Sequence, residues 1–186
     1  LGTNVFGLNS DEANSHRILD CFVDRGFNAI DTADSYPHHM MTGLPGPNGA
    51  LSEEIIGSWI VKTGRRDDIV ISTKVGEWVA RRGLSAANIE AAVEDSLRWL
   101  RTDHIDLLYQ HRVDPNVPIE DVAGTVGDPI AAGKVGHFGL SEASAATLRR
   151  AHAVQPVAAL PRAYSPWTPP PAPRLLPPGA GLGGRS

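Results

Sequence analysis

Four side chains that can donate, accept or stabilise a proton lie in three segments that follow one another at regular intervals along this chain. Asp31 and Tyr36 belong to DTADSY, which directly follows a short apolar run, while Lys74 closes ISTK and His111 closes LLYQH. Tyr36, Lys74 and His111 are separated by 38 and 37 residues, about one strand plus one helix each. A phenol, an ammonium, a carboxylate and an imidazole are the groups of general acid–base chemistry. Each segment is weak evidence alone, because Asp and Ser are common in turns.

The segments that contain these residues alternate between strand-like and helix-like patterns. The predicted strands are the tail of one in 1–7, then FNAID, DIVISTKVG, HIDLLYQH and KVGHFGLS, with VAAL beginning a sixth. The predicted helix caps are Ser10 or Asp11, Ser52 and Ser85, Gly64 is predicted to end the helix after Ser52, and the fifth helix is predicted over 144–154. This alternation predicts a parallel sheet with right-handed crossovers. At the carboxyl ends of parallel strands in a barrel, the four side chains would meet on one rim, where chemistry is assembled.

One helix is expected to be irregular, and one cysteine is expected to be buried. The helix after Pro118 contains Gly124, Gly127 and Pro129, and glycine costs about 1 kcal/mol and proline about 3 kcal/mol inside a helix. We therefore predict a weakened, interrupted helix there. Cys21, the only cysteine, is interpreted as a small core residue of the first helix rather than a reactive thiol.

Four stretches, in order, resemble the aldo-keto reductase superfamily, whose members are NADPH-dependent carbonyl reductases built on a (β/α)8 barrel. They are DTADSY, ISTKVG, LLYQHRVDP and GKVGHFGLSE, and the resemblance extends to about Ser165. It implies an α/β fold, a partial (β/α)8 TIM barrel with about six of the eight βα units. Residues 1–165 would form this incomplete barrel, and residues 166–186 a Pro/Gly-rich tail, expected to be disordered.

The resemblance also implies a reaction and a role for each of the four side chains. A carbonyl that accepts a hydride from NADPH becomes an alkoxide and needs a proton. Tyr36 would donate it, and Lys74, paired with Asp31, would favour the phenolate, since a nearby ammonium lowers the pKa of a phenol. His111 would orient the substrate carbonyl by a hydrogen bond. The alternative is ordinary structure, an Asp31–Lys74 ion pair with Tyr36 and His111 bonded locally.

For the cofactor NADPH, the resemblance implies contacts at Gly2, Thr3, Asp31, Ser141 and Tyr164. Ordinary roles remain open for two of these positions, a strand end for Gly2 and a helix cap for Ser141. Two departures from the family pattern concern the nicotinamide, because Pro161 stands where a glutamine is usual and Glu142 where an asparagine is usual. No metal is required by this chemistry, and the adjacent His38 and His39 lack a third nearby ligand.

The composition disfavours several classes of binding partner. The net charge is −4 without a basic block, so nucleic acid and anionic membranes are poor partners. No apolar run approaches the roughly 18 residues of a membrane span, and the first ten residues do not read as a signal peptide. The protein is expected to be cytoplasmic and to act on a small-molecule carbonyl substrate. The sequence leaves its oligomeric state open.

The length and the last residues favour an incomplete barrel. The chain has 186 residues, whereas a full (β/α)8 barrel typically has about 250. Eight of the fifteen prolines lie in the last 26 residues, which we interpret as the product of a frame shift, with a genuine Pro-rich linker as the alternative. We expect a barrel truncated at both ends to leave apolar surface and strand edges exposed, and to be inactive by itself. Two other functions stay open, a cofactor-binding regulatory protein of the channel-subunit kind and an inactive fragment of a reductase.

Overall fold

The computed structural model describes residues 1–37 and 50–161 of the chain. Five parallel strands form one sheet in sequence order, and they curl into a half-barrel with the helices between them in the chain. The strands are β1 (Ala29–Asp31), β2 (Val70–Val75), β3 (Ile105–Gln110), β4 (Val135–Leu140) and β5 (Val157–Ala159). The helices are α1 (Glu12–Asp24), α2 (Leu51–Thr63), α3 (Ala86–Leu100), α4 (Ile119–Ala131) and α5 (Ala145–His152), with a short 3₁₀ turn at Arg66–Asp68. The predicted partial (β/α)8 barrel is confirmed.

The core lies between the helices and one face of the sheet. Its largest fully buried side chains come from both layers and include Ile56 and Trp59 of α2, Leu100 of α3, Leu108 of β3 and Phe138 of β4. Because side chains alternate across a strand, the opposite face of each strand points into the half-barrel. That inner face carries Asp31 and Lys74, which the sequence placed at strand ends.

Local sequence signals set most of the helix boundaries. Asp11, Ser85 and Ser144 accept hydrogen bonds from backbone N–H groups at the starts of α1, α3 and α5, and Gly64 ends α2 in the left-handed conformation. The predicted cap Ser52 is wrong, because α2 begins at Leu51, two residues earlier than a cap at Ser52 requires, with Ala50 at the cap position. The Ser52 hydroxyl instead donates to the hydroxyl of Thr3 at 2.8 Å.

The predicted interruption after Pro118 is also wrong. α4 is continuous from Ile119 to Ala131, with Pro129 inside it. Five of its residues are buried along one face, Ile119, Val122, Ala123, Val126 and Pro129. Pro129 lies two residues before the end of the helix, where its missing N–H removes one backbone hydrogen bond of the last turn. Burial of this face therefore outweighs the poor helix propensity of the sequence.

The first strand and Cys21 differ from expectation. Of the predicted strand in 1–7, only Gly2 pairs with the sheet, through one parallel bridge to Asp31, and 4–7 are mostly turns. Cys21 is exposed rather than in the core. It lies on the solvent side of α1, where the Arg25 guanidinium donates to its sulfur and to its carbonyl oxygen.

Several expectations fall on residues 38–49 and 162–186, outside the described part. These include Tyr164, the two histidines at 38 and 39 and the Pro/Gly-rich tail. Among the helices that the structure describes, none is both long and apolar enough to cross a membrane.

The close approach of α2 to α3 provides a prediction about stability. A Cβ on Gly57 would collide with the Trp99 carbonyl oxygen and lie 2.8 Å from the Leu100 carbonyl carbon. We expect Gly57→Ala to lower the free energy of unfolding by about 1–3 kcal/mol, since backbone must move apart. Gly124→Ala in α4 is the matched control, because its Cβ would meet only a Val154 methyl at 3.9 Å. That change should stabilise by about 0.5–1 kcal/mol through helix propensity. Denaturant unfolding of both variants measures the difference, and shifts of the same sign would contradict it.

Candidate active site

An ion pair joins the first two strands at the inner face of the sheet. Asp31 lies opposite Ser72 in the ladder, and Lys74 is two residues further on, so it points to the same side. The Lys74 ammonium lies 2.6 Å from Asp31 Oδ2 and donates to the Thr32 carbonyl oxygen at 2.8 Å. Ser72 donates to Asp31 Oδ1 at 3.1 Å. Lys74 is 6% exposed, so its own ammonium is largely shielded from water.

Tyr36 and His111 complete the group. The Lys74 ammonium lies over the Tyr36 ring, 4.8 Å from its centroid. The His111 ring meets the Tyr36 ring edge-on, at 5.7 Å and 81°. His111 is buried, and its Nδ1 lies 3.4 Å from the Ser35 hydroxyl. Asp31, Tyr36, Lys74 and His111 therefore form one connected cluster at the carboxyl ends of β1, β2 and β3.

Gly2 and Thr3 lie beside Asp31 but differ in accessibility. Thr3 is fully buried, its hydroxyl donates to the Asp31 carbonyl oxygen at 2.9 Å, and it accepts from Ser52. Gly2 is exposed, and a Cβ built on it would have no neighbour within 4 Å. Gly2 is thus the accessible residue of the two, whereas Thr3 is buried and holds the Asp31 backbone by its hydrogen bond.

Ser141 occupies the rim at the end of β4. Its backbone N–H donates to the Gln110 carbonyl oxygen at 3.2 Å, and its hydroxyl accepts from Arg112 at 3.3 Å. Because Arg112 directly follows His111, this contact ties Ser141 to the same rim. Glu142 has a φ of 55°, and its N–H donates to the Pro161 carbonyl oxygen at 3.2 Å. The two positions that depart from the family pattern are therefore hydrogen-bonded to each other.

Three contacts of the site were not predicted from the sequence. They are the Thr32 carbonyl that accepts from Lys74, the Ser72 hydroxyl on Asp31, and the Ser35 hydroxyl beside His111. The position of Ser72 could have been predicted from the sequence, because it is two residues from Lys74 and must lie on the same face of the strand. The other two depend on how the loop after β1 folds back, which has no periodic signature.

The second described tyrosine has a different environment. Tyr109 lies opposite Lys74 in the ladder between β2 and β3, and its ring packs so closely on Gly139 that a Cβ there would collide with it. Burial, and to a smaller extent the charge of Asp31, raises the pKa of Tyr109 to about 12. Tyr109 therefore keeps its proton through the physiological range. Within residues 1–37 and 50–161, no group of three or more His, Cys, Asp or Glu side chains could hold a metal ion.

The sequence and the fold of this chain both match known proteins. The model of the aldo/keto reductase family matches residues 1–178, and the chain belongs to this family. It is 48% identical over 167 residues to aldo-keto reductase str7 of Strobilurus tenacellus, covering 89% of this chain and 45% of that protein. It is 39% identical over 170 residues to aldo-keto reductase yakc (NADP+) of Schizosaccharomyces pombe, covering 88% and 46%. The chain thus spans about half the length of these relatives.

Two solved structures share the fold. An aldo/keto reductase from Klebsiella pneumoniae, in complex with NADP and acetate, matches with a TM-score of 0.78 and 25% identity, covering 99% of this chain and 60% of that one. A putative 2,5-diketo-D-gluconic acid reductase B matches with a TM-score of 0.76 and 29% identity, covering 98% and 58%. Both likenesses extend over nearly all of this chain.

Proposed function

We propose that this chain supplies the acid–base half of an oxidoreductase that reduces an aldehyde or ketone to an alcohol with NADPH. One observation carries the proposal, the buried Lys74 ammonium held 2.6 Å from Asp31 and 4.8 Å from the centroid of the Tyr36 ring. A structural ion pair alone would not need a phenol and an imidazole beside it. The family of the chain makes carbonyl reduction the chemistry to test first.

The residues present fit a nicotinamide cofactor. Gly2 leaves open space beside Asp31, and the Asp31 side chain is 43% exposed while Lys74 holds its other side. Ser141 presents a hydroxyl on the same rim. The names of the yakc relative and of the Klebsiella structure both include NADP. We propose Gly2, Asp31, Ser141 and Tyr164 as cofactor contacts, with Thr3 acting through the Asp31 backbone.

Each of the four side chains has its own role in the proposed carbonyl reduction. Bound NADPH supplies the hydride. Tyr36 donates its hydroxyl proton to the carbonyl oxygen as negative charge develops there, and the Lys74 ammonium stabilises the phenolate left behind. Asp31 holds Lys74 in place. When Ser35 donates to His111 Nδ1, the imidazole proton is on Nε2, from which it can donate to the substrate oxygen and orient it.

The proposed substrate is a small carbonyl compound. Because the chain spans about half the length of its relatives, the test uses the longest natural form of the protein that carries this sequence, called the complete protein below. The 186-residue chain is measured beside it. We expect NADPH to bind with a change in fluorescence, and a panel of aldehydes to be reduced with loss of absorbance from NADPH. Binding without turnover would favour a regulatory, cofactor-binding protein. Absence of both in the complete protein would refute the proposed function.

A further inference from the structure

Two carboxyl groups lie buried beside the strand that carries Lys74, and the proposed reaction uses neither. Glu53, in α2, is fully buried, and Asp34, in the segment after β1, is 2% exposed. Glu53 Oε2 and Asp34 Oδ1 are buried without a hydrogen-bond partner in the part of the chain that the structure describes. Lys74 compensates neither carboxyl directly, because its ammonium lies on Asp31 and on the Thr32 carbonyl.

The same two residues hold β2 around Lys74. Thr73, the residue before Lys74, donates from its hydroxyl to Glu53 Oε1 at 2.5 Å. The Asp34 N–H donates to the Lys74 carbonyl oxygen at 3.0 Å, and the Gly76 N–H donates to Asp34 Oδ2 at 3.3 Å. Thr73 points to the helix side of the sheet while Lys74 points to the inner side. Glu53 and Asp34 therefore hold the segment of β2 from which Lys74 presents its ammonium.

A buried carboxylate oxygen without a donor is costly, so the neutral acid is favoured. Burial raises the pKa of Glu53 to about 8; the charge of Asp34 adds to this, while the hydroxyls of Thr73 and Ser96 and the charge of Lys74 oppose it. Burial likewise raises the pKa of Asp34 to about 7, with Glu77 acting in the same direction. The Gly76 N–H, the Ser35 hydroxyl and Arg81 oppose it.

We propose that Glu53 is a positioning residue whose neutral carboxyl, together with that of Asp34, holds the end of β2 so that Lys74 faces Asp31 and Tyr36. Ionisation strengthens the bonds from Thr73 and Gly76, but it also places two repelling charges in a buried site. The cost of burying and opposing these charges outweighs that gain and loosens the hold. The kinetic consequence rests on the proposed function, whereas the binding of protons does not. Because the folded-state pKa of Glu53 lies above its ordinary value of 4.5, its contribution to stability is fully present below that value. It is lost as the pH rises through about 8.

Thermal unfolding between pH 6 and pH 9.5 tests the binding of protons. We expect the Tm of the wild-type protein to fall by about 5 °C over this range, with an inflection near the pKa of Glu53, at a scale of roughly 2–4 °C per kcal/mol for a protein of this size. Glu53→Gln stays neutral at every pH and should remove most of this fall. Glu90→Gln makes the same change at an exposed position of α3, and its curve should overlay that of the wild type.

Thr73→Val tests the titration of Glu53 even if Glu53→Gln does not fold. Thr73→Val removes the hydroxyl that lowers the pKa of Glu53, so the inflection should move to higher pH. An inflection that stays in place or moves down in Thr73→Val, or a Glu53→Gln curve parallel to the wild type, would overturn the proposal.

Two further readouts distinguish positioning from a merely structural role. In the complete protein, kcat should fall above about pH 8 with little change in the Kd of NADPH, and Glu53→Gln should retain at least about tenfold more of its pH 7 activity at pH 9.5. The Val75 methyl signals in NMR should titrate with the same inflection in the wild type and not in Glu53→Gln. If the protein reduces no carbonyl, the methyl titration still tests the position of β2, and signals that do not titrate would refute it.

Discussion

Tyr36→Phe should abolish nearly all carbonyl reduction by the complete protein, lowering kcat by about 10³-fold or more. The change removes one hydroxyl and its proton and almost no volume. A positioned general acid contributes about 10² to 10⁴-fold, and the Lys74 ammonium 4.8 Å from the ring centroid would lose the phenolate that it stabilises. The Kd of NADPH, measured by fluorescence, should stay within about twofold, because the ring and its contacts remain.

Tyr109→Phe is the matched control for this experiment. It makes the same chemical change at the other described tyrosine, whose pKa of about 12 makes it a poor source of protons near neutrality. Most of kcat should survive in this variant. If Tyr36→Phe retained most of its activity, the proton would have to come from His111 or from water.

Lys74→Met should lower kcat by about 10²-fold or more and change the pH dependence of the reaction. The substitution keeps an unbranched apolar stem but removes the charge that lies 2.6 Å from Asp31 Oδ2. The protein should still fold, because Asp31 is 43% exposed on its side chain and water can solvate the carboxylate once the ammonium is gone. Steady-state kinetics from pH 6 to pH 9, with unfolding measured in parallel, gives both quantities.

Lys134→Met serves as the control for the loss of a lysine charge. Lys134 pairs with Glu94 at 2.5 Å on the exposed side of the molecule, and exposed pairs contribute about 0–1 kcal/mol. This variant should keep both kcat and the pH profile of the wild type. An unaltered pH profile in Lys74→Met would argue that Lys74 is not electrostatically coupled to the acid group.

The sequence by itself was sufficient to place the strand ends and most helix boundaries. Lys74 and His111 lie at or just after the ends of β2 and β3, as their spacing predicts, because each strand-and-helix unit returns the chain to the same edge of a parallel sheet. The cap at Ser85 and the end of α2 at Gly64 were also predicted correctly. These features depend on a few neighbouring residues, so the local sequence contains all the information that they need.

Only the tertiary structure decided which side chains are buried and which groups they contact. Ser52 looked like a helix cap but braces Thr3, and Cys21 looked like core but is exposed. Glu53 carried no signal at all, yet it is fully buried against Thr73. Each outcome depends on which layer of the half-barrel covers the residue. That is a matter of contacts between segments tens of residues apart, and periodicity along one segment does not encode it.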